Sequence, residues 1–297
     1  MSQSRALIVA NRRARKGRQS LAAAIEHLDR AGIETVSLPE DASADLAQVI
    51  RAHADRVSLV VLAGGDGTLN HAAAALHETG LPFGVLPMGT ANDFARTIGV
   101  PRDLTRAAQI IIDGHLRAVD LGEVNGHFFF NVASIGFSAA LARELTAEAK
   151  KRWGTLGYAF AALNLLRQSR PFTVEIDHDG TIETVKTAQV AVGNGRFYGG
   201  GMAVERTAAP DDGRLDVYSL EIDHWWELLA LAPWLRRGTQ KSWRKVRAFS
   251  ATNLTIRTRR PHDINADGEI VGQTPATFHI KCKAVKVFAP SAGSAAR

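Results

Sequence analysis

The chain has 297 residues and a mass of 32.0 kDa, with 45% hydrophobic and 22% charged residues, a balance that is typical of globular proteins and excludes a disordered one. Its formal net charge of +6 and sequence pI of about 9.7 favour anionic partners, namely nucleotides, nucleic acid or an acidic membrane face. The sequence lacks a zinc-ligand spacing, an RNA-binding signature and a basic region joined to heptads, so we expect no nucleic-acid partner.

The first part of the chain alternates short apolar strands with helical stretches. Strands are predicted at residues 6–11, 34–39, 57–65 and 83–87, and helices around residues 18–31, 43–54, 69–78 and 91–99. Nearly continuous apolar strands that alternate with helices predict a parallel sheet covered on both faces. Ligands of such sheets bind at the carboxyl ends of the strands, in the loops that lead into the next helix.

From about residue 119 the pattern changes to short strands separated by turns. Strand-like segments occupy residues 172–177, 185–194, 214–222, 253–258 and 276–282, with helical interruptions near 138–169 and 223–238. The pairs Asp179–Gly180, Asp212–Gly213 and Asp267–Gly268 predict turns. We therefore predict an α/β plus mostly-β protein. Its α/β domain covers residues 1–120 and is rejoined by the C-terminal segment 285–297, and its antiparallel β-sandwich domain covers residues 121–284.

The strongest local signal is Gly64-Gly65-Asp66-Gly67-Thr68-Leu69-Asn70, which lies between a predicted strand and a predicted helix. Glycines let the backbone turn sharply and present N–H groups to an anion, and the helix N-terminus adds partial positive charge. Thr68 either caps the helix or donates its hydroxyl to a phosphate. Because a carboxylate beside a phosphate is repulsive unless a cation lies between them, Asp66 indicates Mg²⁺. The alternative is a glycine-rich turn with a helix-capping aspartate.

A second loop of the same kind follows in the sequence PMGTANDFAR, residues 87–96. In a parallel sheet it should lie at the same edge as the first loop. Thr90 and Asn92 either contact phosphate or cap the helix, and Asp93 would join Asp66 in a magnesium network. The sequence contains neither a P-loop signature nor a G-x-G-x-x-G after the first strand, which excludes a P-loop protein and disfavours hydride transfer.

With both loops in view, the sequence resembles the diacylglycerol-kinase catalytic-domain family, and within it the small bacterial YegS-type lipid kinases. GGDGTLN is similar to the nucleotide loop that this family shares in looser form with NAD kinases and phosphofructokinases, whereas GTANDFAR is specific to the lipid kinases. Further motifs follow in the order of the family, namely Asp120-Leu121-Gly122, Asn131–Gly136, Gly193-Asn194-Gly195, Gly199–Gly201, Pro210–Gly213 and Asp267-Gly268-Glu269.

The resemblance implies an ATP- and Mg²⁺-dependent kinase that phosphorylates a hydroxyl of a membrane lipid such as diacylglycerol or phosphatidylglycerol. It implies a nucleotide-binding first domain, a lipid-substrate second domain and Glu269 as the general base. The carboxylates of Asp66, Asp93 and Asp120 would organise magnesium. The nucleotide-binding set that it implies is Asn11, Gly64, Gly65, Asp66, Gly67, Thr68, Leu69, Asn70, Thr90 and Asn92. A separate structural Mg²⁺ would use Asp212 with the carbonyls of Ala209 and Arg214.

The role of Glu269 as general base comes from the resemblance alone. From the residues alone, a glutamate after an Asp–Gly turn is most often a solvated hairpin residue.

The loop after the first strand differs from the family pattern. The family often has an Asn-Pro-x-Ser-Gly-type loop there, whereas residues 11–17 here read NRRARKG, with the Pro and Ser replaced. This basic loop either holds ATP phosphates or lipid head groups, or is solvated surface.

The chain is expected in the cytoplasm, peripheral to the inner face of the membrane if it acts on a lipid. No apolar run reaches the roughly 18 residues of a membrane-spanning helix, and no signal peptide is evident. Residues 223–237, with three tryptophans and a basic end, suit the membrane interface, although a helix packed on the β domain is the alternative. Lys150–Trp153 is a second candidate contact, with a solvated face as its alternative.

The single cysteine, Cys282, excludes an internal disulfide and favours a reducing compartment. Because it alternates with charged neighbours, we predict a buried strand thiol and not a nucleophile.

Two other functions stay open at this point. One is a soluble-substrate kinase similar to the NAD kinases, which share the glycine loop. The other is a catalytically inactive lipid or nucleotide sensor. GTANDFAR argues against the first, and the joint presence of Asp66, Asp93, Asp120 and Glu269 argues against the second, since a sensor needs no such set.

Overall fold

The computed structural model describes residues 4–10, 18–37, 45–144, 167, 170–195, 197–198, 202–203, 209–222, 224, 227 and 245–291. The chain divides into two compact units. The first consists of Met1–Leu121 with Lys281–Arg297, and the second of Gly122–Ile280.

The first unit is an α/β fold built on a parallel sheet. Its elements are β1 (Arg5–Ala10), α1 (Arg18–Arg30), β2 (Glu34–Ser37), α2 (Leu46–His53), β3 (Leu59–Gly64), α3 (Asp66–Thr79), β4 (Phe83–Pro87), α4 (Asp93–Thr97) and α5 (Leu104–Asp113). The four strands pair in the order β2-β1-β3-β4, all parallel. The parallel α/β arrangement predicted for the N-terminal part is confirmed.

Burial and capping explain why these segments take their form. Every residue of β3 and β4 is buried, as expected for central strands of a parallel sheet. Helix α5 begins after Asp103, whose carboxylate accepts the N–H of Arg106, and ends at Gly114 with φ 74°. Helix α3 likewise ends at a left-handed glycine, Gly80, because a residue without a Cβ adopts that conformation at little cost.

The second unit is rich in strands, two of which extend into the first unit. Its elements are β5 (Leu116–Val124), β6 (His127–Phe129), β7 (Val132–Gly136), α6 (Phe137–Glu144), β8 (Phe172–His178), β9 (Thr181–Thr187), β10 (Gln189–Gly193), β11 (Phe197–Tyr198), β12 (Met202–Ala203), β13 (Leu215–Leu220), β14 (Val246–Ala251), β15 (Asn253–Thr258), β16 (Asp263–Ala266), β17 (Glu269–Gln273) and β18 (Ala276–Phe288). Strand β5 begins in the first unit and β18 ends in it.

Two antiparallel sheets share one core in this unit. One has the order β14-β13-β10-β7-β16-β17, and the other contains β15, β8 and β9 beside the first residues of β18. Side chains from both sheets, such as Ile135 and Val217 from the first and Val174 and Phe278 from the second, belong to a single buried cluster. The predicted β-sandwich is confirmed.

Two details of the sequence prediction are wrong. Residues 185–194 form two strands instead of one, because the buried hydroxyl of Thr187 accepts the N–H of Gln189 and donates to Leu220 O, which ends β9. Cys282 is exposed and not buried. Lys283 has a φ of 51°, which breaks the alternation of β18 and leaves residues 281–283 all exposed.

Within the part of the chain described here, no helix is long and apolar enough to cross a membrane.

Candidate active site

Two loops of the first unit leave the same edge of the parallel sheet. The first joins β3 to α3 and the second joins β4 to α4. Gly64 and Pro87 are partners in the register of these two strands, and the Met88 N–H donates to the Gly64 carbonyl oxygen at 2.9 Å. Adjacent parallel strands carry their carboxyl ends side by side, so the expected placement of both loops at one edge is confirmed.

The loops touch through two glycines. A Cβ on Gly89 would lie 2.5 Å from the Gly65 Cα and 2.7 Å from Asn92 Oδ1, and a Cβ on Gly65 would lie 2.9 Å from the Gly89 Cα. The closest atoms are backbone atoms, which a side-chain rotation cannot move away. Glycine at both positions is therefore a requirement of the contact between the loops, in addition to any contact with a ligand.

Asn92 shapes the second loop from inside. It adopts a left-handed conformation, with φ 53° and ψ 47°. Its Oδ1 accepts the Gly89 N–H at 2.9 Å, and its Nδ2 donates to the Gly89 carbonyl oxygen at 2.8 Å. The Asn92 side chain is buried by these contacts, whereas Thr90 at the tip of the loop is exposed. Of the two residues, the structure leaves Thr90 open to a ligand.

An arginine that the sequence analysis did not single out braces the same loop. Arg102 Nη2 donates to the carbonyl oxygens of Thr90 at 3.0 Å and Ala91 at 3.4 Å. Since Arg102 lies ten residues beyond Asn92, outside the GTANDFAR motif, only the folded chain reveals this contact.

The side chains of Thr68 and Leu69 point away from the loop surface. Both are buried, and a Cβ on Gly64 would lie 2.2 Å from Thr68 Oγ1. The Thr68 side chain therefore occupies the space that a side chain at position 64 would need, so only glycine fits there. The first helical turn of α3 is capped by Gly65 without a side-chain hydrogen bond. Thr68 and Leu69 fix α3 from the core, so any help they give to an anion comes from the backbone.

Asp66 and Asp93 come together where the loops meet. Asp66 Oδ1 accepts the backbone N–H of Phe94 at 3.1 Å, which brings its carboxylate to the residue that follows Asp93. Asp93 is buried, with Arg96 Nη1 at 3.7 Å from its Oδ1. A half-buried and a buried carboxylate thus lie at the edge where the glycine loops face outward.

Asp120 is held by a strand contact. It is only 1% exposed, and its Oδ1 accepts the Lys283 N–H at 2.6 Å. Lys283 is the left-handed residue of β18, so the Asp120 carboxylate satisfies the N–H at the irregular point of that strand. This contact is compatible with the predicted role beside magnesium and gives the residue a structural task of its own.

Among the described residues, no three or more His, Cys, Asp or Glu side chains form a group that could hold a metal ion. Mg²⁺ at a nucleotide site needs only one or two protein carboxylates, because phosphate oxygens and waters complete its octahedron. The carboxylate oxygens of Asp66 and Asp93 are donors of the type that such an ion takes.

Glu269 is the first residue of β17 in the second unit. It pairs with Ala266 across a two-residue turn in which Asp267 and Gly268 have φ values of 48° and 97°. Positive φ at both central positions is the hairpin geometry that Asp–Gly favours, and the turn predicted there is confirmed. The side chain of Glu269 is half-buried.

Three sequence motifs converge on this turn. The Asp267 carboxylate accepts the N–H groups of Phe130, Asn131 and Val132. The Asn131 carbonyl oxygen accepts the N–H groups of Asn194 and Gly195 at 2.8 and 3.1 Å. In the sequence, Asp267 belongs to a predicted turn and to the motif that contains Glu269. The spacing of residues does not reveal its hydrogen-bond partners.

Of the remaining predicted residues, some lie within the described residues and others do not. Asp212 is exposed, and its Oδ1 accepts the Arg214 N–H at 3.0 Å. Ala209 is half-buried. The structural metal proposed for these residues stays a prediction. Asn11, the basic loop at 12–17, Lys150–Trp153 and the tryptophan-rich segment around Trp225 and Trp226 lie outside the described residues.

Comparison with known proteins matches both units. The family model for the diacylglycerol kinase catalytic domain matches residues 5–124, and the model for the YegS C-terminal NAD kinase beta sandwich-like domain matches residues 131–289. A Bacillus subtilis protein named diacylglycerol kinase is 29% identical over 265 residues, 88% of this chain and 88% of that protein. A Staphylococcus aureus protein of the same name is 29% identical over 277 residues, 92% of this chain and 88% of the other.

The fold has a close counterpart among solved structures. A diacylglycerol kinase crystal structure from Bacillus anthracis str. Sterne superposes with a TM-score of 0.79 at 25% identity, and the match covers 98% of both chains. The two family matches together extend over nearly the whole chain and include both loops and the Asp267–Glu269 turn. The chain therefore belongs to the diacylglycerol-kinase catalytic-domain family with a YegS-type β-sandwich domain, and it is an enzyme of the lipid-kinase class.

Proposed function

We propose that this protein transfers the γ-phosphoryl group of ATP to a hydroxyl of a membrane lipid in the presence of Mg²⁺. The observation that carries the proposal is the pair of glycine loops at one sheet edge, joined by the Asp66–Phe94 hydrogen bond. Backbone N–H groups and a helix N-terminus suit the phosphates of ATP, and adjacent carboxylates suit the cation that accompanies them. The curated relatives are named for diacylglycerol, which makes that lipid the first acceptor to test.

In this proposal, different residues of the two loops bind the phosphates of ATP and the cation. The backbone of residues 64–70 and the exposed Thr90 contact the nucleotide phosphates. Asp66 and Asp93 would hold the cation, with Asp120 supporting this network. Mg²⁺ held there would neutralise the charge that develops on the transferred phosphoryl group. Because phosphoryl transfer depends mainly on position and charge, small changes in the loops should alter the rate strongly.

Glu269 is the proposed general base. As the lipid oxygen attacks the γ-phosphorus, a new P–O bond forms, the bond from the γ-phosphorus to the β–γ bridging oxygen breaks, and ADP leaves with that oxygen. The proton of the lipid hydroxyl goes to the Glu269 carboxylate. The half-buried position of Glu269 at the first residue of β17 supports this assignment over that of a fully exposed hairpin glutamate.

The deciding experiment supplies radiolabelled ATP and Mg²⁺ to the purified protein with a panel of lipids in mixed micelles. The panel contains diacylglycerol, phosphatidylglycerol, a monoacylglycerol and a long-chain base, with NAD as a soluble acceptor. We expect label in one lipid. Label in NAD alone would move the protein to the soluble-substrate kinases, and ATP binding without transfer to any acceptor would favour a sensor.

Two variants test the assigned roles. Asp66→Asn and Glu269→Gln should each lower turnover by at least about a hundred-fold, the range attributed to a positioned acid–base or charge-stabilising group. Glu34→Gln is the matched control, because it also removes one carboxylate but at an exposed ion pair with Arg5. Near-normal turnover in Glu269→Gln would remove the proposed base while leaving the kinase assignment to be judged by Asp66→Asn.

Docking on a membrane is proposed from the sequence of residues 223–237. Indole rings suit the interface between head groups and acyl chains, and arginines reach the head groups. Sedimentation with vesicles should weaken when Trp225 and Trp226 are both replaced by alanine. Unchanged sedimentation would assign this segment to packing within the second unit.

A further inference from the structure

Asp267 makes an unusual set of hydrogen bonds for a residue in a two-residue turn. Its Oδ2 accepts the Phe130 N–H at 2.7 Å, and its Oδ1 accepts the N–H groups of Asn131 and Val132, each at 3.0 Å. Its own N–H donates to the Val132 carbonyl oxygen at 3.0 Å. The turn and the segment Phe130–Val132 therefore hold each other from both sides, and three of the four bonds are charge-assisted.

The segment that receives Asp267 is itself fixed. Its carbonyl oxygens accept from the residues that follow β10, with Asn194 Nδ2 donating to the Phe130 oxygen at 3.0 Å. Gly195 packs so closely that a Cβ there would lie 3.2 Å from the Phe130 oxygen. The N–H groups of the segment bind the Asp267 carboxylate, and the carbonyl oxygens of Phe130 and Asn131 accept from Asn194 and Gly195. The segment Phe130–Val132 is therefore a fixed platform for the turn.

The backbone of the turn takes the geometry that Asp–Gly favours. Asp267 has a φ of 48°, in the left-handed region that aspartate adopts more readily than most L-residues. The Gly268 N–H donates to Asn265 Oδ1 at 3.1 Å, which holds the other side of the turn. The next residue is Glu269, so the conformation at Asp267 and Gly268 sets the direction in which the Glu269 backbone leaves the turn.

We propose that Asp267 is a positioning residue for phosphoryl transfer. Its carboxylate fixes the turn on the Phe130–Val132 platform, and the fixed turn orients Glu269. Asp267 needs no contact of its own with ATP or lipid for this role. The inference rests on the proposed function, in which Glu269 accepts the proton of the lipid hydroxyl.

A second Asp–Gly turn in the same unit provides a matched control. Asp179 and Gly180 join β8 to β9 with φ values of 50° and 77°, the same left-handed pair. The Asp179 side chain is 62% exposed, and His178 Nδ1 lies 3.8 Å from its Oδ2. The two turns thus share backbone geometry and differ in what the carboxylate holds.

The test replaces each aspartate with asparagine, which tolerates the left-handed conformation but offers a single acceptor oxygen and no charge. Asp267→Asn should lower kcat by about ten- to a hundred-fold, the loss expected when a reacting group is displaced by about 1 Å. The KM for ATP should change by less than about two-fold, because the loops of the first unit are untouched. Asp179→Asn should leave kcat and both KM values unchanged.

A double variant separates positioning from simple loss of folded protein. If Asp267 acts through Glu269, the variant Asp267→Asn/Glu269→Gln should turn over no more slowly than Glu269→Gln alone, since the group to be positioned is already missing. Multiplied losses in the double variant would overturn the proposal. So would titration with a fluorescent ATP analogue showing that the Asp267→Asn loss comes from fewer binding-competent molecules.

Asn265→Ala keeps the proposal testable if Asp267→Asn does not fold. It removes one neutral hydrogen bond to the same turn, so we expect a smaller fall of kcat in the same direction, again without a change in the KM for ATP. An unchanged kcat in Asn265→Ala would count against positioning by the turn. If Glu269→Gln itself retains normal turnover, the base assignment fails, and the Asp267 role fails with it even where Asp66→Asn upholds the kinase.

Discussion

The paired loops of the first unit and the Asp267–Glu269 turn of the second unit are both held in place by contacts between separate segments of the chain, but the contacts differ in kind. In the loops, residues from 64 to 94 meet because adjacent buried strands end at the same edge, and the closest contact is between two glycine backbones. In the turn, a charged side chain binds N–H groups that lie 135 to 137 positions away in the sequence. Local chain geometry forms the first arrangement, whereas the second exists only after the sandwich has folded.

The largest effect should come from breaking the glycine contact. Gly89→Ala places a Cβ 2.5 Å from the Gly65 Cα, a backbone atom that no side-chain rotation can move away. We therefore expect the free energy of unfolding to fall by about 3 kcal/mol and ATP binding to be lost. Thermal unfolding and titration with ATP measure the two effects. Gly80→Ala is the control, because its added Cβ meets nothing within 4 Å and its cost comes from the left-handed φ of 66° alone. Equal losses in the two variants would show that the glycine contact is unimportant.

Asp120 is an exception to this difference between the two units. It lies in the first unit, yet its carboxylate accepts the N–H of Lys283, 163 positions away. Asp120→Ala removes the charged acceptor of the Lys283 N–H, and the loss of this hydrogen bond should cost about 1.5–3 kcal/mol. Asp120→Asn keeps an acceptor oxygen, so its unfolding temperature should stay close to that of the parent.

The asparagine variant of Asp120 also separates the strand contact from the proposed magnesium role. If the carboxylate supports the ion, Asp120→Asn should raise the Mg²⁺ concentration needed for half-maximal turnover while stability is kept. A normal Mg²⁺ dependence in a stable Asp120→Asn protein would leave the residue with its structural task only.

A moderate effect is expected at Arg102. Arg102→Ala removes two hydrogen bonds to the carbonyl oxygens of Thr90 and Ala91. Since one such bond contributes about 0.5–1.5 kcal/mol, the KM for ATP should rise by roughly two- to ten-fold with kcat nearly unchanged. Arg106→Ala removes the same charge four residues further along the chain, in the first turn of α5, and should leave the KM for ATP as it was. A fall in kcat without a change in KM would contradict a role in shaping the loop.

The smallest expected effect is a pH dependence of stability that arises from His262 in the second unit. The ring of His262 stacks on Phe172 with the centroids 4.0 Å apart, and burial lowers the pKa of His262, with Asp263 opposing the shift. The unfolded chain therefore takes up this proton at a higher pH than the folded one. Stability is then lost as the pH falls through the ordinary histidine value of about 6.5.

The substitution His262→Gln isolates that proton. The drop in unfolding temperature between pH 7.5 and pH 5.5 should be smaller in this variant than in the parent, whatever its value at pH 7.5. His115→Gln, at an exposed position of the first unit, serves as the control. A pH-dependent drop that is the same in all three proteins would exclude a contribution from His262.

The sequence was most informative where local pattern decides structure. Strands 83–87 and 253–258 were predicted with their observed bounds, and the loops at Gly64 and Gly89 were placed at one sheet edge from strand order alone. Alternating strands and helices determine such an edge without knowledge of distant contacts. Short strands such as β16 and β17 went unassigned, because a few residues beside a turn carry too little periodicity.

The contacts that hold the candidate residues were beyond prediction. Nothing in the spacing of residues links Asp267 to Phe130 or Arg102 to Thr90, since each bond depends on packing of elements far apart in the chain. The error at Cys282 has the same origin. An alternating pattern predicts burial only while the strand keeps its pleat, and Lys283 interrupts it with a φ of 51°.

The exposure of Cys282 has a practical consequence. It is the one cysteine of the chain and it lies on the surface of β18, so a maleimide dye should attach at a single, known position without any substitution. The label would sit beside Lys283, whose N–H binds the buried Asp120, and would report by fluorescence on the environment of that strand. The same thiol makes reducing agent advisable during purification, because two molecules joined through it would form a covalent dimer with no bearing on the native assembly.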